Sequence, residues 1–220
     1  MDLIDPKENV EEAYTKGKVV ELKHLTDDIV NLKLDMAKKV SFKPGQFVQL
    51  LNEDGCQRPY SIASLPDEDH LEFQIRLLKD GKMSHYLENK AKVGSVLNVS
   101  DATGTYAYPH KAEHQQLYLI GTGTGLAPMW SIARHAIETG FSGAIHLFHG
   151  SRHQIGLYLV DESQSLAQQN ENVHYHPCLS GEELEGFYFG RVPEKDLGML
   201  DHASSTAAYL CGHLGIVQDS

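Results

Sequence analysis

The sequence predicts two domains, an antiparallel β-barrel followed by an α/β domain built on a parallel sheet. Three observations predict this. From Gly17 to Ser100, short segments of alternating apolar and polar residues follow one another between turn residues, the pattern of half-buried strands closing into a small barrel. From about Leu117 the order becomes strand, glycine turn, helix, strand, helix, strand, the alternation of a parallel sheet covered by helices on both faces. A chain of 220 residues is long enough to bury two small cores.

The chain opens on an acidic lead, MDLIDPKENVEEAY, and GKVVELKHLTDDIVNLKLD then reads as two antiparallel strands around a TDD turn. FKPGQFVQLLN supplies a Pro-Gly turn and a strand, and SIAS, LEFQIRLL and SVLNVS continue as short strands. One helical segment, Met83 to Lys92, follows the turn KDGK. In the second half a strand ends at the glycine turn, MWSIARHAI is helical, AIHLFHG is a strand and LYLVDESQSLAQQN is helical. VHYHPCLS and AAYLCG are the last strands. The boundary falls within His110 to Gln116 and divides the chain into residues 1–112 and 113–220.

Composition narrows the function. The formal net charge of −11 argues against nucleic acid, whose phosphates demand a basic face. No run approaches the roughly 18 to 20 apolar residues of a membrane span, and the amino terminus has no apolar export segment, so a soluble cytoplasmic protein is expected. Cys56, Cys178 and Cys211 are too few and too scattered for an iron–sulfur cluster, a zinc site or a disulfide framework. Among the thirteen histidines, His110/His114 and His174/His176 have no third ligand nearby in sequence, so no metal site is expected.

The first candidate site is YLIGTGTGLAP, Tyr118 to Pro128. A glycine turn between a parallel strand and a helix bares backbone N–H groups at the positive end of the helix, where phosphate binds. The standard dinucleotide fingerprint fails on two counts. Gly121 and Gly123 fit, but Leu126 stands at the third glycine position, and the next strand ends in Ser151 and Arg152 rather than an acidic residue. A phosphate-binding Walker lysine is absent too.

The second candidate is RPYSIAS, Arg58 to Ser64. Arg58 offers a permanently charged bidentate fork for phosphate, Tyr60 a flat face for a ring system, and Ser61 a hydroxyl for a ring nitrogen. Pro59 fixes the backbone between them. An ordinary strand with a turn arginine is the alternative.

RPYS, DGKMS (Asp80 to Ser84), GTGTGLAP and YLCG (Tyr209 to Gly212), in that order, resemble the ferredoxin–NADP reductase family of two-domain flavoproteins. The resemblance runs from about Gly17 to the end. It is nearest to the bacterial ferredoxin/flavodoxin–NADP reductases, because VSDATGTYAY stands where many plant-type members and oxygenase reductases have a G-P-x-G sequence. It implies an FAD-binding barrel over residues 1–112 and an NAD(P)-binding domain over 113–220. Arg58, Pro59, Tyr60 and Ser61 would hold FAD, with Arg58 on the pyrophosphate, Tyr60 against the isoalloxazine and Ser61 near N5. Gly81, Lys82, Met83 and Ser84 would present amides and a hydroxyl to the same pyrophosphate. Thr122, Gly123, Thr124 and Gly125 would sit at the nicotinamide and flavin, with Gly212 close by. Cys211 would pack beside the nicotinamide, or else is a buried structural cysteine. Tyr60, Ser61 and Cys211 are the residues implied at the reacting rings.

The resemblance implies NADPH through Arg152 and Arg191, which match the arginines that clamp a 2′-phosphate. It departs where the family has Ser-Arg. Here Ser180 is followed by Gly181, Glu182 and Glu183, so NADH remains open. The family also continues past the C-G pair with a helix and a last strand of about 25 to 30 residues, whereas this chain ends at Ser220. A truncated chain and a more open site are the two readings. The implied activity is hydride transfer from NADPH to FAD, then single-electron transfer to ferredoxin or flavodoxin by a monomer. The alternatives are a reductase component for an oxygenase, a cytochrome or free flavin, and a non-catalytic flavin-binding subunit.

Overall fold

The computed structural model describes residues 14–105, 108, 115–191 and 205–212. The expected boundary between residues 112 and 113 and the carboxyl-terminal residues 213–220 lie outside the described residues.

The first sheet is antiparallel, and its strands fall where alternation places them. β1 (Tyr14–His24) and β2 (Ile29–Met36) form a hairpin. Its turn is held by Leu25 N–H on the Ile29 carbonyl at 2.8 Å and by Thr26 Oγ1 on Asp28 Oδ1 at 3.0 Å, the local side-chain bonding that suits Thr and Asp to turns. A bulge between Val19 and Glu21 shifts the β1 register. β3 (Phe47–Leu51), β4 (Gln57–Ser61), β5 (His70–Arg76) and β6 (Val96–Ser100) complete the order β4-β3-β6-β1-β2-β5. The two edges meet where Ala63 N–H donates to the Glu72 carbonyl at 2.8 Å, which closes the sheet into a barrel and leaves fewer unpaired edge groups.

The fourth strand differs from the sequence reading. It covers Gln57–Ser61 rather than SIAS, pairing Tyr60 with Val48 and Arg58 with Leu50. Pro59 is tolerated because β4 lies at the edge of the sheet order, where a missing N–H costs no ladder bond. The helix α1 (Lys82–Asn89) ends before Lys92, the expected end, because Lys90 and Ala91 both donate to the Tyr86 carbonyl. Its buried face, Met83, Tyr86 and Leu87, joins Leu32, Leu50, Ile62, Phe73 and Leu97 in the barrel core.

The second sheet is parallel, in the order β10-β9-β8-β7-β11. It comprises β7 (Gln116–Thr122), β8 (Ala144–Ser151), β9 (Val173–Leu179), β10 (Tyr188–Phe189) and β11 (Thr206–Cys211). Helices α2 (Leu126–Glu138) and α3 (Val160–Gln169) pack on one face, where Met129, Ile132, Ala133 and Leu166 meet Leu117, Leu119, Ile145 and Leu147. The two-residue β10 was not foreseen, being too short to show a period. From β7 the chain steps outward through β8, β9 and β10, and β11 returns to the opposite side of β7. That reversal opens a crevice beyond the carboxyl ends of β7 and β11, where open α/β sheets bind ligands.

The two sheets are joined by more than covalent linkage. Ser131 Oγ on α2 donates to the Ser64 carbonyl at 2.7 Å, and Ile29 of the barrel is buried in the second core. Arg134 pairs with Glu68 and lies 5.6 Å from the centre of the Trp130 ring. Among the described residues no helix is long and apolar enough to cross a membrane.

Candidate functional site

A cleft of about 930 Å³ lies between the barrel and the parallel sheet. Pro59, Tyr60 and Ser61 of β4 line it from the barrel side. Thr122, Gly123, Thr124 and Gly125 at the end of β7, with Cys211 and Gly212 at the end of β11, line it from the other. Arg152, Ser180 and Arg191 line its outer part. Twelve sequence-predicted residues, scattered from position 59 to 212, thus share one cavity.

A second cavity of about 470 Å³ is lined by Gly81 and Lys82 together with Cys56, Lys79 and His85. β4 runs from beside this cavity to the cleft, with exposed Arg58 between Cys56 and Tyr60. Arg58 Nη1 donates to the Gln57 carbonyl at 2.7 Å. Arg58 lines neither cavity, and neither do Met83 and Ser84. Met83 is buried in the barrel core, and Ser84 Oγ accepts the Leu78 N–H at 2.8 Å. At positions 83 and 84 it is therefore the backbone that remains for a ligand. No side chain caps α1, so its first amides stand at the positive end of the helix macrodipole.

The glycines of the turn are explained by close approach. A Cβ at Gly121 would meet the Leu126 backbone at 2.7 Å, and one at Gly125 would meet the Cys211 carbonyl oxygen at 2.1 Å. At Gly212 it would meet Thr122 Oγ1 at 2.1 Å. Gly123 has a φ of +53°, in the left-handed region. GTGTG and YLCG therefore lie back to back, which brings Cys211 to the cleft beside the turn. The room beside Gly125 is filled by the chain itself.

Electrostatics separate the inner and outer cleft. Burial pushes the Tyr60 phenol up to about 12, against a smaller opposing effect of Arg58, so the ring presents a neutral face. Burial also raises the Cys211 thiol, keeping it protonated and poorly nucleophilic. Thr122 Oγ1 is buried against Gly212, without a hydrogen-bond partner among the described residues. Beside the outer part, next to the lining residue His153, Glu182 accepts the Gln154 N–H and lies 3.6 Å from His153 Nδ1. The carboxylate is thus tied to the loop that follows Arg152. With a stacking surface and bared amides in place, the residues fit a flavin and a nicotinamide nucleotide. The described residues contain no cluster of three potential metal ligands, and the three cysteines are free.

Four residues at this site gave no sequence signal. Arg76 of β5 lines the cleft, pairs with Asp28 at 3.3 Å and lies against Gly123. Gln74 lines the cleft two residues earlier, and Tyr158 and His149 are buried close behind the turn. Each reads in sequence as an ordinary strand or helix residue. Only the packing of β5 against the turn gives them a role.

A closed antiparallel barrel and a parallel sheet that share a nucleotide-type cleft define the class of two-domain flavin and nicotinamide-nucleotide oxidoreductases. Family models agree half by half, with the oxidoreductase FAD-binding domain matching residues 16–108 and the oxidoreductase NAD-binding domain matching residues 119–220. The chain belongs to the ferredoxin–NADP reductase family. It is 35% identical over 204 residues to the ferredoxin–NAD(P)(+) reductase component of naphthalene 1,2-dioxygenase/salicylate 5-hydroxylase systems of Ralstonia sp. That match covers 92% of this chain and 62% of the relative. A cytochrome P450 reductase of Amycolatopsis superposes with a TM-score of 0.86 at 26% identity, covering 94% of this chain and 63% of that one. A ferredoxin NADP+ reductase from Neisseria gonorrhoeae, solved with FAD and NADP, shares the fold at a TM-score of 0.82. It is 24% identical, with 94% of this chain and 88% of that chain covered.

Proposed function

We propose that this chain is the reductase module of an electron-transfer system, taking hydride from NAD(P)H onto FAD and passing single electrons to a ferredoxin-type carrier. The observation that carries this reading is the shared cleft, in which Tyr60 and Ser61 face Thr122, Thr124 and Cys211. When bound, FAD supplies the step from a two-electron donor to one-electron acceptors. The chain's own residues bind, orient and exclude water. Tyr60 would cover one ring face, and Ser61 would donate a hydrogen bond to a ring nitrogen. Arg58 and the first amides of α1 would hold the pyrophosphate. The GTGTG turn, on the opposite wall, would receive the nicotinamide, and Cys211 would pack against it as a small neutral group.

The carrier reading is favoured by the 35% identity to an oxygenase-system reductase component, which makes an oxygenase the candidate final acceptor. Because both halves of the cleft come from one chain, a monomer suffices. Three free cysteines suit a reducing cytoplasm. The nucleotide is written NAD(P)H because Arg152 and Arg191 suit a 2′-phosphate while Glu182 opposes one.

Stopped-flow mixing of FAD-loaded protein with NADPH and with NADH tests the reading. Loss of absorbance near ~450 nm, the oxidised-flavin band, supports the reductase. No bleaching with either nucleotide would leave only a flavin-binding module. Adding a ferredoxin, a flavodoxin and a cytochrome in turn then sorts the acceptors.

A further inference from the structure

Tyr158 precedes α3 and is buried, 3% exposed. Its hydroxyl lies 3.2 Å from the Gly123 carbonyl oxygen and 3.3 Å from Gln74 Oε1. Gly123 belongs to the nucleotide turn, whereas Gln74 lies on β5 of the barrel. This one hydroxyl therefore touches both halves of the site.

A phenol carries a single proton and cannot donate to both oxygens at once. Gln74 Nε2 is buried without a partner among the described residues. With the Gln74 amide turned end for end, Nε2 donates to the phenol oxygen and the phenol proton goes to the Gly123 carbonyl, so both contacts are satisfied. Burial holds the phenol far above the usual range for tyrosine, so it stays a donor across physiological pH. Behind the ring, His149 packs edge-on at 5.2 Å and is itself 3.1 Å from the Tyr175 hydroxyl. From the other side Arg76, held by Asp28, lies against Gly123. The turn is gripped by the barrel at two points.

We propose that the Tyr158 hydroxyl is a positioning group which, by tying Gly123 to Gln74, sets where the nicotinamide stands relative to the flavin. This rests on the reductase reading above. Its importance comes from a difference in sensitivity. Affinity for either cofactor is spread over many contacts, whereas transfer between two rings depends on their separation, and a misplacement of about 1 Å costs on the order of 100-fold in rate.

The test is Tyr158→Phe, which keeps the ring and removes the hydroxyl, compared with Gln74→Leu and the double variant. Flavin reduction at saturating nucleotide should slow about tenfold or more, while the nucleotide KM stays within about twofold and FAD is retained. The double variant should be no slower than the worse single one, as for two partners in one link. An unchanged saturating rate, or a rise confined to KM, overturns the proposal. A second readout needs no cofactor: in flavin-free protein, amide hydrogen exchange at residues 122–125 should quicken in both single variants, and wild-type exchange there overturns the proposal. Should wild-type protein fail to bleach with either nucleotide, the reductase reading falls, and the exchange comparison still decides the link.

Discussion

Gly125 and Cys211 meet backbone to backbone: a Cβ on Gly125 would lie 2.1 Å from the Cys211 carbonyl oxygen. The nucleotide turn and the last described strand thus lock together without any side chain between them. Gly125→Ala must separate them, because a backbone carbonyl cannot swing away as a side-chain tip can. We expect a loss of about 2 kcal/mol or more and weaker nucleotide binding. Gly140→Ala is the control, with a φ of +77° and nothing near the added methyl, and should cost only about 1 kcal/mol. Urea unfolding of both variants checks the contrast, and equal losses would show that contact at Gly125 is unimportant.

The domain interface should respond more to a buried hydroxyl than to its ion pair. Ser131 is fully buried, and its 2.7 Å bond is made to the Ser64 carbonyl, so Ser131→Ala leaves an acceptor unpaired at about 1 to 2 kcal/mol. Arg134 and Glu68 are partly exposed at 22% and 36%, so Arg134→Ala should cost less than about 1 kcal/mol. Denaturant midpoints followed by Trp130 fluorescence distinguish the two. The reverse ranking would mean that the ion pair dominates.

Stability should fall in mild acid through His149. It is fully buried, its Nε2 has no partner among the described residues, and burial lowers its pKa from 6.5 to about 3. The unfolded chain takes up a proton near 6.5 that the folded chain refuses. The contribution is therefore intact above that pH and is lost as pH falls toward 3. At pH 5 the loss is about 2 kcal/mol. His149→Phe should flatten the decline between pH 7 and 5 in urea titrations, and an unchanged decline would assign it to other groups.

Nucleotide preference should shift with charge at the outer cleft. Glu182 is held at the loop after Arg152 by the Gln154 N–H and His153. Removing its charge relieves repulsion of a 2′-phosphate by about 1 kcal/mol in a partly solvated setting. Glu182→Gln should thus raise the NADPH/NADH ratio of kcat/KM about fivefold, and Arg152→Ala should lower it. A ratio unmoved by both variants would place the 2′-phosphate elsewhere.

Much of the architecture was legible in the sequence because its signals are local. Alternation marked β1, β2, β5 and β6, and the glycine turn between strand and helix marked the nucleotide half at Tyr118 to Pro128. RPYS, GTGTG and YLCG supply residues on both walls of the cleft. The span of β4 was misjudged because Pro59 argues against a strand until an edge position excuses it. Gln74, Arg76, His149 and Tyr158 stayed hidden for a different reason. Their partners lie far along the chain, 84 residues away for Tyr158 and Gln74, and no spacing rule connects such pairs. Local periodicity and turn chemistry determined which elements form and where ligands can meet bare backbone. Which side chains then grip the turn from across the cleft was decided only by barrel closure and domain packing, because contacts between distant segments exist only once both surfaces are built.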